Sequence, residues 1–151
     1  MKKFAANYLI SKNGSFLKNG IVCADDNGNA LEFIDTGGNL REIELLEFHN
    51  GIIITGIGFR KTKPSESENQ DSKVKPFLQS NTIQLPEFID LLKHIQNNYP
   101  EEKFPVVMKM AEEQIQSAGF EKIYESGIFL LSGINLPELK LTAKTRLKKL
   151  A

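Results

Sequence analysis

The chain has 151 residues, 40% of them hydrophobic and 25% charged, the usage of one ordinary globular domain with a buried core, which excludes a fibrous repeat and wholesale disorder. Nineteen basic residues balance nineteen acidic ones, so the surface as a whole is not built to attract nucleic acid or anionic membrane, and any basic site must be local. One cysteine and two histidines allow no internal disulfide and supply few soft metal ligands.

The N-terminus imitates a secretory leader, because Lys2 and Lys3 precede the apolar run from Phe4 to Ile10. Asn7 interrupts that run, Ser11-Lys12-Asn13 ends it, and no small-residue cleavage site follows. No stretch approaches the ~20 apolar residues that span a bilayer. The expected location is the cytoplasm, where a free thiol at Cys23 is tolerated.

Residues 1–60 read as short strands separated by turns. Phe4, Ala6, Tyr8 and Ile10 alternate with Ala5, Asn7 and Leu9, a period of two that ends at Asn13-Gly14. Residues 20–25 and 30–35 flank Asp26-Asn27-Gly28-Asn29, and Asn-Gly between two apolar runs predicts a hairpin because both residues accept positive φ. Thr36-Gly37-Gly38-Asn39 predicts the next turn. Asn50-Gly51 predicts another, separating residues 45–48 from Ile52-Ile53-Ile54, an unbroken apolar run suited to burial on both faces.

Between residues 61 and 81 Lys, Ser, Glu, Asn, Gln, Asp and Pro dominate, with only Val74, Phe77 and Leu78 apolar, which predicts a polar loop. Two helices are predicted next. The first opens with Pro86, carries Phe88, Ile89, Leu92, Ile95 and Tyr99 at helical spacing, and closes at Pro100. The second runs over residues 101–118, with Glu101 and Glu102 at its positive end, Pro105 in its first turn, and Val107, Met110, Ala111, Gln114, Ile115 and Ala118 on one face. Gly119 supplies its stop.

Residues 127–131 predict a short buried strand, Gly133 to Pro137 a turn, and Leu139, Leu141, Ala143, Thr145 and Leu147 alternate with Lys140, Thr142, Lys144, Arg146 and Lys148 as a further strand. A β-rich opening, two helices and a β return predict an α+β domain with the helices as an insert. The expected organisation is one domain over residues 1–151: a β-rich part at 1–60, a polar loop at 61–81, a two-helix insert at 82–120 and returning strands at 121–151.

The opening segments Phe4-Ala5-Ala6-Asn7-Tyr8-Leu9-Ile10, Leu17-Lys18-Asn19-Gly20-Ile21-Val22, Asp26-Asn27-Gly28-Asn29 and residues 48–56, with residues 127–136 and Leu139-Lys140-Leu141-Thr142 at the other end, resemble metal-dependent amidohydrolases of the cytosine deaminase and chlorohydrolase-like group. The likeness covers rather more than half of the chain. In that family both chain ends build a small β-sandwich, the composite domain, beside a (β/α)8 barrel that holds the metal. The resemblance therefore implies a composite-type β-sandwich made of N- and C-terminal strands, with a two-helix insertion.

The departures from the family bear on activity. Its first metal-binding pair is a His-x-His soon after a strand ending in Pro-Gly-Phe, and Thr55-Gly56-Ile57-Gly58-Phe59-Arg60-Lys61 stands there instead. The barrel needs roughly 200 residues, and the stretch from Lys61 to Gly127 is about a third of that. None of the family's ligands can be carried across, so the resemblance implies no inherited hydrolase activity and no cofactor.

Individual residues lend themselves to structural readings. His49 and His94 lie on different predicted elements without a Cys, His or acidic pair at ligand spacing, and read as boundary residues. Asp25 to Asn29 lacks the alternating oxygens and the bidentate Glu of a calcium loop, and the hairpin explains it. Gly51 to Gly58 lacks both a Gly-Lys-Ser/Thr ending and a following helix, so its glycines suit a bulge or close strand packing rather than a phosphate loop. Cys23 has no neighbouring base in sequence and reads as a small hydrophobe; Glu101, Glu102, Glu112 and Glu113 read as solvated helix faces. No residue is nominated as catalytic, cofactor-binding or metal-ligating.

Lys140, Lys144, Arg146, Lys148 and Lys149 form a one-sided basic cluster with no acid after Glu138. Without interleaved aromatics it reads as protection of an edge strand rather than a nucleic-acid site. The expected function is that of a non-catalytic interaction module, binding itself or another protein; the alternative is a small-ligand protein or divergent enzyme with a cleft between helices and sheet.

Overall fold

The period-two pattern at the N-terminus folds as β1 (Lys2–Ile10), and β2 (Phe16–Lys18) turns back to pair antiparallel with its end, Ile10 opposite Phe16. The computed structural model describes residues 2–39, 46–62 and 78–151. Most of the polar loop expected at 61–81 lies outside the described residues.

β3 (Ile21–Ala24) pairs antiparallel with β1 on one side and with β4 (Ala30–Ile34) on the other. The β3–β4 connection is the hairpin expected from Asn27-Gly28. Only Gly28 takes positive φ, at 81°. Its N–H donates to the Asp25 carbonyl at 3.2 Å, and one Asp25 carboxylate oxygen accepts from the Asn27 and Asn29 amides, both at 2.9 Å. A type I-like turn with one left-handed glycine thus replaces the paired positive φ values of a two-residue loop. Gly37 and Gly38 carry the following turn.

The turn expected at Asn50-Gly51 is corrected. β5 (Leu46–Lys61) runs unbroken through it and lies parallel to β1. Ala6 faces His49, and Tyr8 faces Ile52: β1 advances two residues while β5 advances three, so the extra residue is a bulge. Asn7 Oδ1 accepts the Gly51 N–H at 2.7 Å. Gly51 has φ 139°, and a Cβ there would stand 2.2 Å from the Leu131 carbonyl oxygen. The Asn-Gly pair therefore serves a strand irregularity, where a side-chain acceptor takes an amide displaced from the ladder.

The last long strand, β7 (Phe120–Ser132), starts well before the expected Gly127. It neighbours β5. Gly51 approaches Leu131 and Gly56 approaches Ser126, so the register descends along β7 as it rises along β5, and the two are antiparallel. β6 (Thr82–Ile83) pairs with the far end of β5, and β8 (Arg146–Lys149) pairs antiparallel with β7. The strand expected through residues 139–147 is thereby shortened to its end. Leu139 sits at φ 53° in a turn, and the Thr145 hydroxyl accepts the Thr142 N–H at 2.9 Å and donates to the Gly133 carbonyl at 3.2 Å. These local hydrogen bonds displace the ladder that alternation alone would favour.

The helices are α1 (Leu85–Asn98) and α2 (Phe104–Ser117). Pro86 and Pro105 occupy first turns, where no N–H is required. α2 begins at Phe104, so Glu101 and Glu102 precede its cap Lys103 instead of lying in its first turn. The Phe104 N–H donates to the Leu139 carbonyl at 2.7 Å, which satisfies one of the helix's orphan donors. The order of strands through the sheet is β4-β3-β1-β5-β7-β8, with β2 on β1 and β6 on β5. Eight strands and two helices among the described residues make an α+β fold. No described helix is long and apolar enough to cross a membrane.

The chain divides into two compact units. The first comprises Met1–Gly56, Glu125–Pro137 and Thr142–Ala151; the second comprises Ile57–Tyr124 and Glu138–Leu141. In the first, Phe4, Ala6, Leu9, Val22, Ala24, Ile53, Ile128 and Leu130 form a buried cluster, with Leu150 and Ala151 packed on it. In the second, Phe59 and Phe88 meet with ring centroids 5.1 Å apart. The α1 stripe buries Phe88, Ile89, Leu92 and Ile95 as expected but leaves Tyr99 exposed, and α2 buries Phe104 and Met108 where Met110 was expected.

Candidate functional site

Two places gather polar chemistry within the first unit. One is the β5 bulge. Phe4 faces Glu47 and Ala6 faces His49 across β1 and β5, so both polar side chains stand on the face that carries Phe4 and Ala6. The His49 ring centroid lies 6.3 Å from that of Phe4. Its Nε2 is shielded and has no hydrogen-bond partner, while Glu47 Oε2 stands 3.5 Å away, longer than a normal N–H···O bond. A histidine beside a carboxylate can move a proton. Its neighbours across the ladder, Phe4 and Ala6, are apolar, so among the described residues the pair has an imidazole and a carboxylate but no nucleophile or oxyanion donor shown with them.

The other place is the edge strand β8. Arg146, Lys148 and Lys149 are exposed, and Leu147 is half-buried. Ser132 pairs with Arg146 and Leu130 with Lys148, while Leu131 pairs with Leu147 and Phe129 with Lys149. Arg146 and Lys148 thus share one face, and Lys149 takes the other. The five-residue basic cluster expected from sequence is thereby divided: Lys140 belongs to the second unit and pairs with Glu138 at 3.7 Å, and Lys144 lies in a turn. Lys144, Arg146, Lys148 and Lys149 have no ion pair among the described residues.

The remaining candidates take structural places. His94 is in the second unit, its Nε2 3.2 Å from Asn98 Nδ2 one turn along α1, so the structure does not bring the two histidines into one unit. Asp25 closes its hairpin. The Asn29 amide, then its side chain, hold that carboxyl below the ordinary range. Cys23 is buried, and burial, assisted by Glu32, pushes its thiol up in spite of nearby Lys3. A raised, buried thiol is a poor nucleophile. Gly51 to Gly58 lie inside β5, not in a phosphate-binding loop. Glu112 is no free surface acid, because Lys122 Nζ lies 3.2 Å from it and both are half-buried.

The structure adds one group that sequence reasoning passed over. Gln96 is 4% exposed, and its side chain donates to the Tyr99 and Glu102 carbonyls at 3.1 and 2.7 Å while accepting the Leu141 N–H at 3.1 Å. Every polar atom of the amide is engaged, so it staples the α1–α2 turn rather than awaiting a ligand. The signal was a polar residue on the helix's buried face. A cavity of about 580 Å³ is lined by Thr62, Gln116, Gly119, Phe120, Glu121 and Lys122. Some of its polar groups are already committed: the Thr62 N–H donates to the Gly119 carbonyl at 2.9 Å, and Lys122 Nζ lies 3.2 Å from Glu112 on α2. Among the described residues no three His, Cys, Asp or Glu side chains converge as a metal site.

Comparison with known proteins returns no matching family model, no matching curated protein and no matching solved structure.

Proposed function

We propose that this chain is a non-catalytic protein-interaction module built like the composite domain of metal-dependent amidohydrolases, with a two-helix insertion in place of the catalytic barrel. The observation that carries the reading is the way the chain is divided. Its two ends, Met1–Gly56 with Glu125–Pro137 and Thr142–Ala151, build one unit, and the stretch Ile57–Tyr124, joined by the short segment Glu138–Leu141, supplies the other. That is the arrangement the resemblance implies.

An interaction role is supported by what the first unit leaves uncovered. Leu31 is 59% exposed and Phe48 43%, and the cations of the edge strand β8 have no ion pair among the described residues. Affinity capture of the tagged protein from its native cells, followed by the mass of the recovered complex, tests the reading. A stoichiometric partner or a defined self-assembly is expected. Recovery as a lone monomer at every concentration would overturn it, and screening for small ligands would then take its place.

A further inference from the structure

We infer that the outer edge of β8 is a docking edge for an extended acidic segment of a partner protein. The inference deepens the proposed interaction role and rests on it. β8 stands at one end of the strand order, hydrogen-bonded to β7 alone among the described residues. The Leu150 N–H donates to the Ile128 carbonyl at 2.7 Å, and inward bonding recurs at every second residue of an antiparallel ladder. The backbone groups of Arg146 and Lys148 therefore point toward β7, and the N–H and C=O of Leu147 and Lys149 point away from the sheet.

An incoming strand would take those four backbone groups and set its side chains beside the row on β8. Two acids spaced i and i+2 would meet Arg146 and Lys148 on one face, and an intervening residue would lie by Leu147 and Lys149 on the other. The charges also select against other occupants. A second copy's β8 would bring three more cations to the same edge, so self-pairing is repelled, as lysine-bearing edges generally are. The same feature that blocks an identical strand attracts one of opposite charge. No acid follows Glu138 in the chain, so nothing on the final strand neutralises the row.

The test is fluorescence anisotropy of a short fluorescein-labelled peptide of alternating Glu and Thr, titrated with the full chain at low salt. Binding is expected, and it is expected to weaken as salt is raised toward the physiological range. Reversing the face charges with Arg146→Glu plus Lys148→Glu should weaken it by more than about tenfold. Lys149→Ala removes a charge and keeps the outward N–H, whereas Lys149→Pro removes both at a position where an edge strand tolerates proline. Proline should weaken binding several-fold beyond alanine, with circular dichroism unchanged in all variants. Absence of binding to the wild type, indifference to charge reversal, or equal effects of alanine and proline would each overturn the inference. The capture experiment separates the two levels: a partner retained by the charge-reversed chain removes the β8 edge and leaves the interaction role standing, and no partner with the wild type removes the role itself.

Discussion

The two units are held together by different kinds of information. In the second, each helix carries its own address: Phe88, Ile89, Leu92 and Ile95 on α1, and Val107, Ala111 and Ile115 on α2, are buried at helical spacing, and such stripes meet wherever two helices pack. In the first, the core combines Phe4, Val22, Ile53 and Ile128, which lie on four strands far apart in the chain. Their meeting depends on register, and register depends on single residues such as Asn7 and Gly51. Helical units thus spread their specification over a period, whereas this sheet concentrates it at irregularities.

The strongest way to break that comparison is Gly51→Val. Its Cβ would stand 2.2 Å from the Leu131 oxygen on a backbone with φ 139°, and neither strand can yield without losing pairing. A loss of more than about 4 kcal/mol is expected, seen by hydrogen exchange as lost protection of β1 and β5 amides. The helical counterpart is Phe88→Ala, which empties a fully buried ring site against Phe59 and should cost about 3–5 kcal/mol, with α1 and α2 amides the first to lose protection. Equal loss throughout the chain in both variants would show that the units have no separate stability.

Smaller effects sharpen the contrast. Gln96→Ala should cost about 1–3 kcal/mol, since it leaves the Leu141 N–H and two carbonyls without their partner; urea denaturation measures it. The hairpin tip should contribute least, and with a pH signature. Asp25 has its folded pKa lowered from 3.8, so its carboxylate stabilises the fold fully above that value. The contribution fades as pH falls through the lowered folded value. The stability difference between wild type and Asp25→Asn should therefore be constant near neutral pH and vanish in acid; a difference that persists in acid would assign the effect to turn geometry rather than charge.

The sites were legible to different depths. The lysine-bearing end of the chain is plain in composition, but which of its residues share a face is not. A strict alternation from Leu139 to Leu147 would have put the apolar residues on one side, yet the Thr142, Thr145 and Gly133 bonds hold residues up to 145 in turns and leave only Arg146–Lys149 on the sheet. At His49 the neighbouring Glu47 lies two residues away in sequence, but the ring's contact with Phe4 comes from a strand paired in parallel at long range and gave no signal. Gln96 was visible as a polar residue in an apolar stripe, but its three partners lie across a turn and in a segment more than forty residues on, at Leu141.

By itself the sequence determined what local physics controls. The two helices follow from apolar spacing and first-turn prolines, the Asp25–Asn29 hairpin from an Asn-Gly pair and a carboxylate able to take its amides, and the α+β class from the order of elements. Only the tertiary structure decided what depends on chain segments meeting: that Asn50-Gly51 is a bulge inside β5 instead of a turn, that β1 and β5 are parallel, and that the basic end forms one edge of the sheet. A glycine's freedom and a strand's alternation are compatible with several pairings. The choice among them is made by the neighbour that arrives, and the neighbour is specified elsewhere in the chain.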